Sequence, residues 1–215
     1  MGSVLDCFFS KAEDDKPPLL IPLIDGDVQI VGFTGKAGSG KDTAADFLVE
    51  HFGFVKMSFA GPLKRGISEM FGIPMETMQD PLLKEMEDPV WGHSPRYLMQ
   101  WLGTDVLRKH ISDDFFIVSM GRAIKYSGHK KIVISDVRFD GEAQFIRKMG
   151  GAVYKISRPN FDSHISAENR NHSSEQGISA RLVDREILND STLSSFLDVF
   201  SDPWFLHRHL TEPLH

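Results

Sequence analysis

Apolar positions along this chain recur with two periods, and their alternation lays out a series of strands and helices. Val28, Ile30, Val31 and Phe33 form a β-branched and aromatic run that predicts a first strand. Ala44, Phe47, Leu48, His51 and Phe52 then fall at helical spacing on one face, with His51 read as a helix-end residue. Residues 54–60 predict a second strand, and Gly61-Pro62 opens a helix whose buried stripe is Leu63, Ile67, Met70 and Phe71. The pattern weakens over 72–93, where Pro74, Pro81 and Pro89 leave room for one short helix. Ser94-Pro95 is an N-cap followed by proline at the first helical position, and Leu98, Trp101, Leu102 and Val106 line one side of the helix it starts. Asp113 or Asp114 caps another helix, with Phe116, Met120, Ala123 and Ile124 inward. Residues 131–136 predict a buried third strand, Asp140 caps the helix beyond it, and 152–156 and 182–188 give strands four and five. A short helix over 191–200 closes the readable pattern.

Strands alternating with helices imply an α/β fold: a mostly parallel five-stranded sheet with helices on both faces. Residues 1–26 read as an N-terminal arm, charged and proline-bearing in its middle; 27–200 form the main domain and 201–215 a C-terminal tail. Within the domain, about 61–127 form a helical insertion, and the polar stretch of about 157–181 reads as a flap.

Composition narrows the chemistry. A net charge of −6 argues against binding nucleic acid through a general basic surface. A single cysteine, Cys7, excludes an internal disulfide and a cysteine-built zinc site, and suits a reducing cytoplasm. No apolar run approaches the ~20 residues of a membrane-spanning helix.

Residues 35–43, Gly-Lys-Ala-Gly-Ser-Gly-Lys-Asp-Thr, carry the most specific signal. A glycine loop between a strand and a helix can turn its backbone N–H groups inward around a phosphate, and the helix N-terminus adds partial positive charge. Gly35, Lys36, Ala37, Gly38, Ser39 and Gly40 would form that cradle, and Lys41 would reach the outer phosphates. Asp42 stands where such loops usually carry the Ser or Thr that touches Mg²⁺. Either Asp42 holds the metal, directly or through water, or Thr43 supplies the hydroxyl. Asp136 closes the third strand, where an acid can hold Mg²⁺ or its waters or else cap the next turn. Arg96, Gln100, Thr104 and Arg108 recur every fourth residue, a solvated face or one wall of a site, and Gly103 threatens to break the helix between them. Arg96, Arg108 and Arg138 offer planar forks for a second phosphate. Two phosphate grips and a flap make a kinase layout.

Taken together, Gly-Ser-Gly-Lys-Asp-Thr (38–43), Ser-Phe-Ala-Gly-Pro-Leu-Lys (58–64), Gln-x-x-Gly-Thr-Asp-x-x-Arg (100–108) and Ile-Ser-Asp-Val-Arg-Phe-x-x-Glu-Ala (134–143) resemble the deoxynucleoside monophosphate kinases of bacteriophages. His172-Ser-Ser-Glu175 and Asn189-Asp190 are similar to that family's flap and final loop. The resemblance implies a P-loop kinase fold, ATP as co-substrate, Mg²⁺, transfer to a deoxynucleoside monophosphate in DNA precursor synthesis, and a cytoplasmic homodimer working on small nucleotides. Carried over by position, Lys41, Asp136, Arg138, Arg158 and Arg170 would be catalytic, with the two last as flap cations. Residues 35–43 and Asn189 would hold ATP, Asn189 near the adenine, and Asp42 and Asp136 the metal. Lys64, Arg96, Gln100, Trp101, Thr104, Arg108 and Arg138 would line the acceptor site, with Trp101 suited to stacking on a base. Dephospho-coenzyme A kinase and phosphomevalonate kinase share such a scaffold and are the alternatives, followed by a non-catalytic ATP-binding switch.

Overall fold

The computed structural model describes residues 28–159 and 177–210. Strands β1 (Gln29–Thr34), β2 (Val55–Met57), β3 (Lys131–Ile134), β4 (Ala152–Ser157) and β5 (Arg185–Leu188) form one parallel sheet in the order β2-β3-β1-β4-β5. Successive side chains of β1 point to opposite faces. Ile30 joins the core on one side of the sheet, while Val31 and Phe33 join the other. Both faces are covered, which is why the strands read as nearly continuous apolar runs.

Helices α2 (Gly61–Phe71), α3 (Met75–Gln79), α4 (Pro95–Gln100), α5 (Phe115–Ser127) and α6 (Asp140–Lys148) supply the first core, through residues such as Ile67, Met78, Leu98, Met120 and Ile146. On the other face lie α1 (Lys41–Phe52), α7 (Leu193–Asp198) and α8 (Pro203–Leu210), contributing Leu48, Phe196 and Phe205 among others. α4 runs on without a break into π-helical turns over Trp101–Ile111. Gly103 therefore does not end the helix. A Cβ there would sit 2.8 Å from Leu63 Cδ2, so glycine is what lets this helix press against α2.

The structure redraws several predicted boundaries. β2 stops at Met57 because Ser58, Phe59 and Ala60 turn to donate hydrogen bonds to Asp136. β5 begins only at Arg185; Ala180–Leu182 is a single 3₁₀ turn. Met70 is 61 % exposed, and Ala123 is exposed while Ile117 is buried in its stead. Asp140 does not cap α6, being its first residue; its carboxylate accepts from the backbone N–H (2.7 Å) and hydroxyl (2.5 Å) of Ser179. Glu142 does the capping, accepting from the N–H groups of Arg138 (2.9 Å) and Phe139 (3.2 Å). Asp114 precedes α5 without a side-chain capping bond. The predicted tail carries α8, whose Phe205 is fully buried against Tyr154 and Phe200, so the folded body extends past residue 200. The arm, Arg170, His172 and Glu175 lie outside the described residues, as does most of the flap.

Candidate active site

Every motif residue after a strand emerges at the same, carboxyl-terminal edge of the parallel sheet, where ligands bind in this architecture. The glycine loop follows β1. Gly35, Gly38 and Gly40 have φ of 138°, 75° and 106°, a region that side chains avoid. At Gly35 a Cβ would also lie 2.2 Å from the Ile156 carbonyl. Gly40 precedes α1, and the Asn189 side chain after β5 donates to the Ser39 carbonyl (2.9 Å), bracing the loop from behind. Lys41 folds back on the loop, its Nζ donating to the carbonyls of Gly35 (2.8 Å) and Lys36 (2.7 Å). Gly38, Gly40, Lys41, Asp42, Thr43, Arg158 and Asn189 border one groove. Arg158 thus borders the same groove as the loop, and Asn189 contacts the loop itself.

Asp42 opens outward beside Thr43, its side chain 74 % exposed. The Ser135 hydroxyl donates to its Oδ1 (2.9 Å), and Lys56 Nζ lies 2.9 Å from the same atom and 2.9 Å from Asp46 Oδ1. Crowding on its inner side pushes the Asp42 carboxyl up, but Lys56, Ser135 and Lys41 outweigh this and hold it below the usual carboxylate range. It is an ionised oxygen donor at the mouth of the phosphate cradle, which suits Mg²⁺ or a Mg²⁺-bound water. Asp136 is more committed. Its Oδ1 accepts from Phe59 N (2.9 Å), and its Oδ2 from Ser58 Oγ (2.7 Å) and Ala60 N (2.9 Å). Three of a carboxylate's roughly four acceptor positions are therefore used. Among the described residues, no group of three or more His, Cys, Asp or Glu side chains forms a metal cluster.

A second cavity opens between α2, α4 and residues 136–142. Arg96, Gln100, Thr104 and Arg108 all line it, so the four-residue row borders a cavity. Lys64, Arg138 and Asp136 also line it. Trp101 does not; one residue off the row, it lies half-buried beside it, and the rings on the cavity are Phe59, Phe116 and Phe139.

Two contributors escaped the sequence reading. Lys84, on a 3₁₀ turn (Leu83–Glu85) in the weakly patterned insertion, lines the cavity. Burial and the charges of Arg96, Lys64 and Arg138 push its amine below the usual lysine range, with Glu85 opposing. Four cations thus gather at one end, with Glu85 engaged by the buried Arg96. The other is Glu142, 2 % exposed, whose Oε1 accepts from Arg108 Nη2 (2.8 Å). Arg108 also donates to the Asp113 carbonyl (2.9 Å) and lies over the rings of Phe139 (4.0 Å) and Phe116 (4.9 Å). Burial raises the Glu142 carboxyl to about 7, helped by nearby Asp136 and opposed by the Arg138 and Phe139 N–H groups and by Arg108. A carboxylate at the third position of a helix, just after an arginine and an aromatic, was the available signal for it.

Residues 81–199, which include most of this cavity's wall, match the family model described as deoxynucleotide monophosphate kinase. The chain belongs to the deoxynucleotide monophosphate kinase family. It is 35 % identical over 180 residues to a putative deoxynucleotide monophosphate kinase of Acanthamoeba polyphaga mimivirus, covering 78 % of this chain and 91 % of that protein. It is also 24 % identical over 234 residues to the deoxynucleotide monophosphate kinase of Enterobacteria phage T4, covering 77 % of this chain and 94 % of the relative. The crystal structure of TT1252 from Thermus thermophilus shares the fold, with a TM-score of 0.52 at 14 % identity over 87 % of this chain and all of that one. Family membership makes this protein a kinase with a P-loop, and sets aside the dephospho-coenzyme A, phosphomevalonate and switch readings. No helix among the described residues is long and apolar enough to cross a membrane.

Proposed function

We propose that the protein transfers the γ-phosphoryl group of ATP to the 5′-phosphate of a deoxynucleoside monophosphate. An acceptor phosphate oxygen attacks the γ-phosphorus, the bond from that phosphorus to the β–γ bridging oxygen breaks, and ADP leaves. One observation supports this above others. The consecutive residues Ser135 and Asp136 join the two cavities: the first bonds Asp42 at the phosphate loop, and the second lines the cation-rich pocket. Donor and acceptor would therefore meet on a shared, rigid strand end, as in-line transfer requires.

The loop amides and Lys41 would hold the ATP phosphates, Lys41 leaving its two carbonyl partners to do so. Lys64, Lys84, Arg96 and Arg138 would take the acceptor's phosphate, while Arg158, with Arg170 from the flap, would face the group in transfer. Asn189 would border the adenine side of the loop. Asp42, with Thr43 beside it, would hold Mg²⁺ directly or through water, and Asp136 would reach it through a water at its remaining acceptor position. The ion, when bound, neutralises phosphate oxygens. A cytoplasmic homodimer that handles neither nucleic acid nor membrane completes the reading, and sedimentation of the purified chain tests the dimer.

Lys84→Ala tests the phosphate end of the pocket. Losing one charge-assisted contact to the acceptor should raise its KM about tenfold or more while sparing the KM for ATP. An unchanged acceptor KM would remove Lys84, and with it the phosphate end of the pocket, from the site.

A further inference from the structure

The acceptor cavity combines a cluster of cations with apolar side chains. Along α4 and its continuation the row begins with Arg96, at the cation cluster, and reaches Gln100 about 6 Å further on. Apolar side chains of Leu63, Met78, Met99 and Phe116 line the same cavity. The Glu142–Arg108 pair is closed on itself there: Glu142 is engaged by Arg108 and two backbone N–H groups, and Arg108 by Glu142, the Asp113 carbonyl and two rings. Gln100 differs. Its Nε2 is buried with no hydrogen-bond partner among the described residues.

A buried polar group left unpaired costs roughly 1–3 kcal/mol, and native structures keep few of them without a reason. Although acidic and polar side chains share the cavity wall with Gln100, none of the described ones bonds this nitrogen. A side chain of this type has a donor and an acceptor side by side, the complement of a nucleobase edge.

We infer that Gln100 is the residue that reads the base: its carboxamide turns to pair with the hydrogen-bonding edge of the nucleobase in the acceptor cavity. This rests on the proposed acceptor reading and adds a specificity-determining residue to it. With the phosphate fixed by the cations, Gln100 meets the base one helical turn away, and Thr104 lines the same cavity. The paired amide also loses its unmade hydrogen bond, so the site gains order when the acceptor arrives.

The test is kcat/KM for dTMP, dGMP, dCMP and dAMP with Mg-ATP, for the wild type, Gln100→Glu and Gln100→Met. A carboxylate only accepts hydrogen bonds, so Gln100→Glu should move preference toward dGMP, whose ring N–H and amino group are two adjacent donors, and away from dTMP, whose one N–H lies between two carbonyls. The ratio should change by about tenfold or more. Gln100→Met keeps the bulk without polarity. It should lower kcat/KM on every accepted base about tenfold, mainly through KM, with the ATP KM unchanged. Ratios and KM values matching the wild type in the folded variants would overturn the assignment. If the wild type itself turns over none of the four, the acceptor reading fails first, so the two failures are distinguishable.

Discussion

Glu142→Gln tests whether the buried pair in the acceptor pocket serves stability or position. The two readings differ in sign. Burial holds the Glu142 carboxyl near 7 in the fold, against the usual 4.5. For a group whose folded value is raised, the stabilising contribution is complete below the unfolded value and is lost as pH rises through the folded one. The wild type should therefore lose about 3 kcal/mol between pH 4.5 and pH 7 from this residue alone. Glutamine keeps the shape and does not titrate. Near pH 5 the two proteins should differ by about 1 kcal/mol or less, since protonated glutamate is nearly as neutral as the amide. At pH 8 the variant should be the more stable, by up to about 3 kcal/mol. Its kcat/KM should nonetheless fall, because a glutamine NH₂ cannot accept both from Arg108 and from the Arg138 and Phe139 N–H groups. Urea denaturation at pH 5 and pH 8, with wild type and variant compared at each, cancels the other titrating groups. If Glu142→Gln instead destabilises by about 3–5 kcal/mol at pH 8, the ion pair is a net stabiliser and the reasoning is refuted.

Three other outcomes follow from the geometry. Lys41→Ala should abolish turnover while leaving the chain folded, since its hydrogen bonds to the Gly35 and Lys36 carbonyls are local to the loop; residual turnover above one per cent of wild type would displace it from the phosphates. Lys56→Met removes the main partner that holds the Asp42 carboxyl down, so the acid limb of the kcat/KM profile should move to higher pH, and an unmoved limb would mean that Asp42 ionisation is not needed. Phe205→Ala, at a fully buried ring, should cost about 3–5 kcal/mol in denaturant unfolding, whereas less than 1 kcal/mol would return α8 to the status of an appended tail.

Legibility in the sequence followed locality. The glycine loop is contiguous, and its strand and helix flank it, so Gly35 to Thr43 could be placed without any long-range contact. The row from Arg96 to Arg108 was visible as a spacing, but a spacing does not say what a helix face meets. Only the packing of Gly103 on Leu63 and the approach of residues 136–142 turn that face into a wall. Asp136 was recognised as a strand-end acid, yet its hydrogen-bond donors lie 76 to 78 residues away, and no local pattern announces them. Lys84 was hidden because three prolines break the periodicity around it, and a lone lysine there reads as surface. Trp101 misled for a related reason: an aromatic residue beside a polar row suggests stacking, while one residue along a helix is enough to turn it out of the cavity. Glu142 was quoted within a motif but passed over as a capping residue. Its partner Arg108 is 34 positions earlier, so the buried pair appears only once α6 and the π-helical turns are packed.

The most direct test of the kinase reading is formation of ADP from Mg-ATP in the presence of each deoxynucleoside monophosphate, with the diphosphate product followed by phosphorus NMR. Turnover with at least one of them, stoichiometric in ADP and deoxynucleoside diphosphate and lost in Lys41→Ala, is the expected result. ATP binding without phosphate transfer to any of the four would contradict the proposed reaction.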